Sequence, residues 1–286
     1  MKLSELGERG LLAELERRGL VGDLSREGVV LPEGRVVTQD VLVEGVHFRR
    51  EWASWRDVGY KAAAVNLSDL AALGAEPESL LVALAIPPAT QIEDVIELYE
   101  GFGEAGVPVA GGDTSAAESA IVTVTAVGTS ARVPGRDGAR AGDDLVVTGP
   151  LGGSAAGLHA LKRGLTGFDE LVRAHLRPPF RLDAGRRLAP VAHALIDISD
   201  GIVADAGRIA ERSGCKLVLD LDAVPKADGI EAVADLPFWT MGEDYELLAA
   251  LAPDDASASG FPVIGRCEEG AGVEPADAGG WDAFRR

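Results

Sequence analysis

The chain has 286 residues, a hydrophobic fraction of 47%, and a formal net charge of −19 from 46 acidic against 27 basic side chains. That length allows two domains or one large one with an ample core. The acidity excludes nucleic acid or an anionic membrane as a partner, since both need a basic surface. Cys215 and Cys267 are too few for a disulfide framework, and the N-terminus is charged throughout. The longest apolar run, Leu80 to Pro88, is too short to span a bilayer, so a soluble cytoplasmic protein is expected.

The first predicted element is an amphipathic helix over 4–19, capped by Ser4, with Leu11, Leu12 and Leu15 on one face. A polar, turn-rich stretch over 23–33 follows. Val36 and Val37 then open a strand that ends in polar residues, where Thr38 and Asp40 share one face of the extended chain. A long helix is predicted over 57–73, with Val58, Ala62, Val65 and Leu73 along its apolar stripe and Asn66 beside Asp69. Next come a buried strand over 79–86, a helix over 91–105, a strand over 107–110 running into a Gly111–Thr114 loop, and a strand over 120–129. Residues 132–144 are rich in Gly and charge and lack periodicity, which makes them the candidate boundary between domains 1–137 and 138–286. The second half opens with a strand over 145–148 and a Gly-rich turn, Gly149 to Gly157, leading into a helix. Beyond Pro179 lie another helix, the Asp197–Asp200 segment, a helix over 202–213 and a strand over 216–221. Strands alternate with helices in both halves, so the class is α/β or mixed α+β.

An apolar run ending in Asp recurs at Asp40, Asp69, Asp113 and Asp200. Any single one of these reads equally well as a cap or a turn residue. Together with Asp197, Thr38 and Ser199 they form an oxygen-donor set suited to a hard divalent cation such as magnesium. No Gly-x4-Gly-Lys-Ser/Thr loop is present, and the lysines are few, so cations must supply positive charge if phosphates bind here. Gly149 to Gly157 reads either as a phosphate cradle or as a tight turn with close helix packing. None of the four histidines has a zinc-ligand partner at helical spacing.

Several segments, in order and along nearly the whole chain, resemble the thiamine-monophosphate kinase family. They are Val43–Phe48, Lys61–Ala75, Gly111–Thr114, Thr148–Gly157, Ile196–Gly201 and Gly242–Leu247. Asn66-Leu-Ser-Asp69, Gly111-Gly-Asp113 and Asp197-Ile-Ser-Asp200 are shared with the wider aminoimidazole-ribonucleotide synthetase superfamily. The resemblance implies ATP-dependent phosphorylation of thiamine monophosphate, with ATP as co-substrate and several Mg2+ ions. It also implies a homodimer whose N-terminal ATP- and Mg-binding domains pair through their sheets, with a second α/β domain behind each.

The resemblance further assigns metal binding to Thr38, Asp40, Asp69, Asp113, Asp197 and Asp200, with Asp69, Asp113 and Asp200 as the catalytic set. Nucleotide contacts fall to Gly112, Asp113, Arg136, Ser199 and Tyr99, and the thiamine phosphate end to His47, Glu243 and Trp281. The family's Gly-Asp-Asp-Ala-Ala motif is replaced by Gly22-Asp-Leu-Ser-Arg26, where Asp23 is the substitute metal ligand. The rival readings are another ATP-using enzyme of the superfamily, and a non-catalytic binder of nucleotide or thiamine phosphate.

Overall fold

Two sheets, one from each half of the chain, meet across a shared buried helix; the computed structural model describes residues 2–275. The first half contains α1 (Leu3–Arg17), β1 (Val29–Val30), β2 (Arg35–Val43), α2 (Trp55–Ala72), β3 (Glu76–Ile86), α3 (Ile92–Glu104), β4 (Val109–Ala116) and β5 (Ile121–Thr129). Its five strands lie in the order β1-β2-β5-β3-β4, antiparallel except for the parallel β3–β4 pair. The second half contains β6 (Asp144–Val147), α4 (Gly153–Arg163), α5 (Asp169–Leu176), α6 (Leu182–Leu188), β7 (Ala194–Asp197), α7 (Ile202–Ser213), β8 (Lys216–Leu219), α8 (Ile230–Val233), β9 (Leu247–Leu251), α9 (Pro253–Ser259), β10 (Val263–Glu268) and β11 (Gly272–Glu274). Its sheet runs β11-β8-β10-β6-β9-β7.

α2 forms because Ser54 accepts from the Asp57 amide in a capping box, and an Ala- and Leu-rich run follows with no breaker. Its Val58, Ala62, Leu67 and Leu70 bury against Val36, Val82, Leu84, Val122 and Val124 of the sheet. Ala71 and Ala72, at its end, pack instead with Leu188, Leu195 and Leu247 of the second half. One helix therefore belongs to both cores.

The chain departs from the sequence reading in four places. Lys2, not Ser4, precedes α1, and Leu12 on that helix stays exposed. β2 continues past Asp40 to Val43, because Val41, Leu42 and Val43 pair with β5; Asp40 is mid-strand rather than at a strand end. Gly111 to Thr114 is strand, not loop, because β4 extends beside β3 to Ala116. Gly112 has φ 153, and a Cβ there would run into the Val82 carbonyl, so only glycine permits this close pairing. Finally, β1, α5, α8, β9, α9, β10 and β11 are additional elements.

Among the described residues no helix is long and apolar enough to cross a membrane. Because α2 supports both cores, Leu70→Ala at a fully buried position is expected to cost about 3 kcal/mol of unfolding free energy, read from urea denaturation.

Candidate active site

The acidic cluster lies where α2 meets β2, the end of β7 and the loop before β1. Within Asn66-Leu-Ser-Asp69, each polar side chain has a separate task. The Asn66 amide oxygen accepts from the Asp40 amide at 3.1 Å, and its nitrogen donates to Ala62 O at 3.0 Å. The Thr38 hydroxyl donates to Asn66 O at 3.3 Å, so β2 is tied to the helix on both sides of the pair. Ser68 donates to an Asp197 carboxylate oxygen at 2.8 Å and thereby bridges the two halves. Asp69 is left facing the other carboxylates. Oxygen atoms of Glu27, Asp69 and Asp197 all lie within 4.8 Å of one another.

Burial, reinforced by that proximity, shifts the acids strongly. Burial, then Glu27 and Glu8, pushes Asp40 up to about 6. Burial, then Asp40 and Asp197, pushes Asp69 well above the carboxylate range, and burial followed by Glu27 does the same to Asp197. Unit charges about 4 Å apart repel by roughly 4 kcal/mol at an effective dielectric near 20, a repulsion that adds to the burial in raising these groups. Among the described residues, Glu27 Oε1 is buried and accepts no hydrogen bond, with the Arg136 guanidinium 3.5 Å away. An all-oxygen carboxylate set carrying an unsatisfied buried acceptor fits a hard cation such as magnesium.

Glu27 is the residue that the sequence reading missed. Asp23 does not join the cluster. Its carboxylate accepts from the Ser25 amide and hydroxyl at 2.9 and 2.7 Å, pairs with Arg26 at 2.8 Å, and is 59% exposed. Arg136 donates to the carbonyls of Leu24 and Arg26, both at 2.7 Å, which pins this loop and turns Glu27 inward. Arg136, expected on the nucleotide, is here bound to the protein's own backbone.

Asp200 follows β7 and pairs with Arg208, whose other guanidinium nitrogen is 2.7 Å from Asp205. Asp205, fully buried, also accepts from the amides of Asp200 and Gly201 at 3.0 Å. Burial outweighs its pairing with Arg208 and raises it to about 7. Asp200 thus has a cationic partner of its own, and Ser199 beside it is half-buried.

The Gly242–Leu247 segment runs alongside, with the Glu243 amide donating to Ser199 O at 2.8 Å. Glu243 and Tyr245 both take left-handed backbone angles, φ 59 and 53, which are uncommon outside glycine and tend to cluster at functional sites. Glu243 contacts Lys61 Nζ at 3.0 Å and His175 Nδ1 at 3.5 Å. Burial acts to raise it, but Lys61, His175 and His47 together bring it below its ordinary value. Asp244 accepts from Gly152 N at 2.8 Å and Ser154 N at 3.4 Å, placing a carboxylate at the N-terminus of α4. The Gly149–Gly157 stretch is therefore a packed turn and not an open phosphate cradle. Gly157 is required because a Cβ would strike the Leu171 carbonyl of α5. Glu246 accepts from Thr148 Oγ1 at 2.7 Å and from Arg181 Nε at 2.6 Å. His47 accepts from Val43 N through Nδ1 at 3.0 Å, and its carbonyl lies 3.4 Å from Lys61 Nζ, which sets it near Glu243.

Asp113, Gly112 and Tyr99 are not brought to the cluster within one chain. Asp40 is opposite Val124, Val124 opposite Val82, and Val82 opposite Gly112. Three strand spacings, on the order of 14 Å, separate them. Asp113 pairs with Ala83, on the sheet face of exposed Leu81 rather than that of buried Val82. Tyr99, on α3, is 37% exposed beside Val95, Ile96 and Glu100. Trp281 lies outside the described residues.

Residues 26–130 match the AIR synthase related protein N-terminal domain, and residues 140–273 match the corresponding C-terminal domain. The chain is similar to the thiamine-monophosphate kinase of Aquifex aeolicus, 35% identical with 99% of this chain and 100% of that one covered. It is likewise similar to that of Mycobacterium tuberculosis (strain ATCC 25618 / H37Rv), 37% identical with 88% and 82% covered. Among solved structures, AaThiL complexed with AMPPCP and TMP superposes with a TM-score of 0.94, at 34% identity and 99% coverage of both chains.

Asp40, Asp69 and Asp197 have raised folded-state pKa values, so the stability they contribute is full below the ordinary value of 3.8 and is lost as pH rises through about 6 and beyond. In chelator, the thermal midpoint of Asp69→Asn is therefore expected to exceed that of the parent by more near pH 8 than near pH 5. Magnesium is expected to raise the parent midpoint chiefly at the higher pH and to do little for the variant.

Proposed function

We propose that this chain, which belongs to the thiamine-monophosphate kinase family of AIR synthase related proteins, transfers the terminal phosphoryl group of ATP to the phosphate of thiamine monophosphate. The products are thiamine diphosphate and ADP. The observation that carries this reading is the convergence of Glu27, Asp69 and Asp197, three carboxylates from distant segments, at the seam between the halves.

The acceptor needs no general base. A phosphate monoester has a second pKa near 6, so it is largely ionised at neutral pH. The obstacle is repulsion between two polyanions, and the work is positioning and charge neutralisation. Magnesium, held by Glu27, Asp69 and Asp197 with Asp40, Asp200 and Thr38 around them, supplies that neutralisation when bound. The chain's own groups aim the ligands. Ser68 holds Asp197, Asn66 holds the β2 backbone at Asp40, and Arg208 fixes Asp200. Ser199 is read as a nucleotide contact, and His47, Glu243 and Trp281 as the thiamine end.

Asp113, Gly112 and Tyr99 are read as acting in the site of a second copy. The sheet face bearing Val41 and Leu81 is 44% and 42% exposed at those residues, and β4 is an edge strand exposed almost throughout. An uncovered apolar face and an open edge favour pairing with another chain. We therefore read the enzyme as a homodimer joined through this sheet. Residues 1–137 are the dimerising, nucleotide-binding domain, and residues 138–286 the second domain. A cytoplasmic setting suits the two unbridged, buried cysteines.

Incubation with thiamine monophosphate, ATP and magnesium is expected to yield thiamine diphosphate, whereas ATP uptake without product would make the chain a binder only. Asp69→Asn and Asp113→Asn are each expected to lower kcat by about a thousandfold or more. Mixing and reannealing the two inactive variants in equal amounts should restore about a quarter of parental activity, because half the dimers then hold one intact site. No recovery would mean that Asp113 does not serve a neighbour's site.

A further inference from the structure

We infer that Lys61 is a positioning residue, whose buried ammonium holds Glu243 in the orientation that grips the organic end of the acceptor. This inference rests on the reading of Glu243 as a thiamine-phosphate contact and deepens it. Lys61 is the one lysine among the buried polar side chains of the described residues, 2% exposed in a chain of net charge −19. A lysine is rarely buried unless it is paired. Its ammonium lies 3.0 Å from Glu243 Oε1 and 3.4 Å from the carbonyl of His47, so two of the three residues assigned to the thiamine end meet at it.

The second Glu243 oxygen faces His175 at 3.5 Å, and His175 is in turn hydrogen-bonded to Ser154 at 3.0 Å. Burial holds the His175 imidazole neutral, with its pKa lowered to about 3, so the Lys61 ammonium is the charged partner of Glu243, while 30% of the Glu243 side chain remains open to solvent. Such a carboxylate suits an acceptor carrying a cationic ring or N–H donors, as an aminopyrimidine–thiazolium ligand does. Lys61 also sits on α2 about 12 Å ahead of Asp69. A rigid helix therefore sets the distance between the grip on the acceptor and the carboxylates at the reacting phosphates.

Steady-state kinetics on the full chain, with thiamine monophosphate and ATP varied separately, test this. Glu243→Gln is expected to raise KM for thiamine monophosphate by about 10–100-fold. Lys61→Gln is expected to raise the same constant by about tenfold or more while KM for ATP and kcat stay within about threefold, and Lys61→Arg should recover most of the loss. In the Glu243→Gln background, Lys61→Gln should add nothing further. Lys61→Met serves if Lys61→Gln does not fold, and ATP binding by calorimetry verifies that each variant is folded. An unchanged KM in Lys61→Gln, with a raised one in Glu243→Gln, overturns the inference and leaves the reading of Glu243 intact. A fall in kcat that persists in the Glu243→Gln background also overturns it, because Lys61 would then act on the phosphates directly. An unchanged KM in Glu243→Gln removes Glu243 from the acceptor site and overturns both.

Discussion

Like charges pressed together at the seam between the two halves govern the rest of this structure. Glu27, Asp40, Asp69 and Asp197 come from a loop, a strand, a helix and the end of another strand, and folding leaves them no choice but to approach. The force that brings them together is ordinary apolar burial. α2 packs on the first sheet through Leu67 and Leu70 and on the second core through Ala71 and Ala72. Asn66 and Ser68 then lock the polar side of the same helix to β2 and β7. The repulsion is tolerable because the packing is strong, and a bound cation relieves it.

Elsewhere the acids of the second half are already matched. Asp205 has Arg208 and two backbone amides, Asp244 has the amides opening α4, and Glu246 has Thr148 and Arg181. The contrast separates structural from functional carboxylates in a strongly acidic chain. Where partners are internal, a carboxylate supports a turn or a helix start. Where carboxylates crowd one another, with only Ser68 on Asp197 and Arg136 at 3.5 Å from Glu27 as internal partners, a cation from solution completes the match. Glu243 lies between these cases, anchored on one side by Lys61 and open on the other.

Much of this was readable from residue order. The stripe Val58, Ala62, Val65 marks α2, and α7 spans the predicted 202–213 because its boundaries carry plain glycine signals, Gly201 and Gly214. Apolar runs ending in Asp mark Asp40 and Asp69, and the oxygen-donor set of the sequence adds Asp197 to them. Glu27 was hidden because nothing local marks it: it sits in an aperiodic turn and is aimed by Arg136, more than a hundred residues away. The placement of Asp113 was hidden for a different reason. Gly-Gly reads as a loop, but here it allows β4 to lie against β3, and strand register decides which face the carboxylate takes. The Gly149–Gly157 stretch reads from its residues as either an anion cradle or a packed turn, and Asp244, nearly a hundred residues on, occupies its amides and decides for the turn. Local chemistry was legible, but long-range occupancy was not.

The most direct test of the central claim is anomalous diffraction from crystals grown with manganese, in place of magnesium, and a non-hydrolysable ATP analogue. The account predicts an anomalous peak bounded by carboxylate oxygens of Glu27, Asp69 and Asp197, and no such peak in crystals of Glu27→Gln. Manganese held elsewhere, with those three carboxylates bound only to protein groups or to one another, would contradict it.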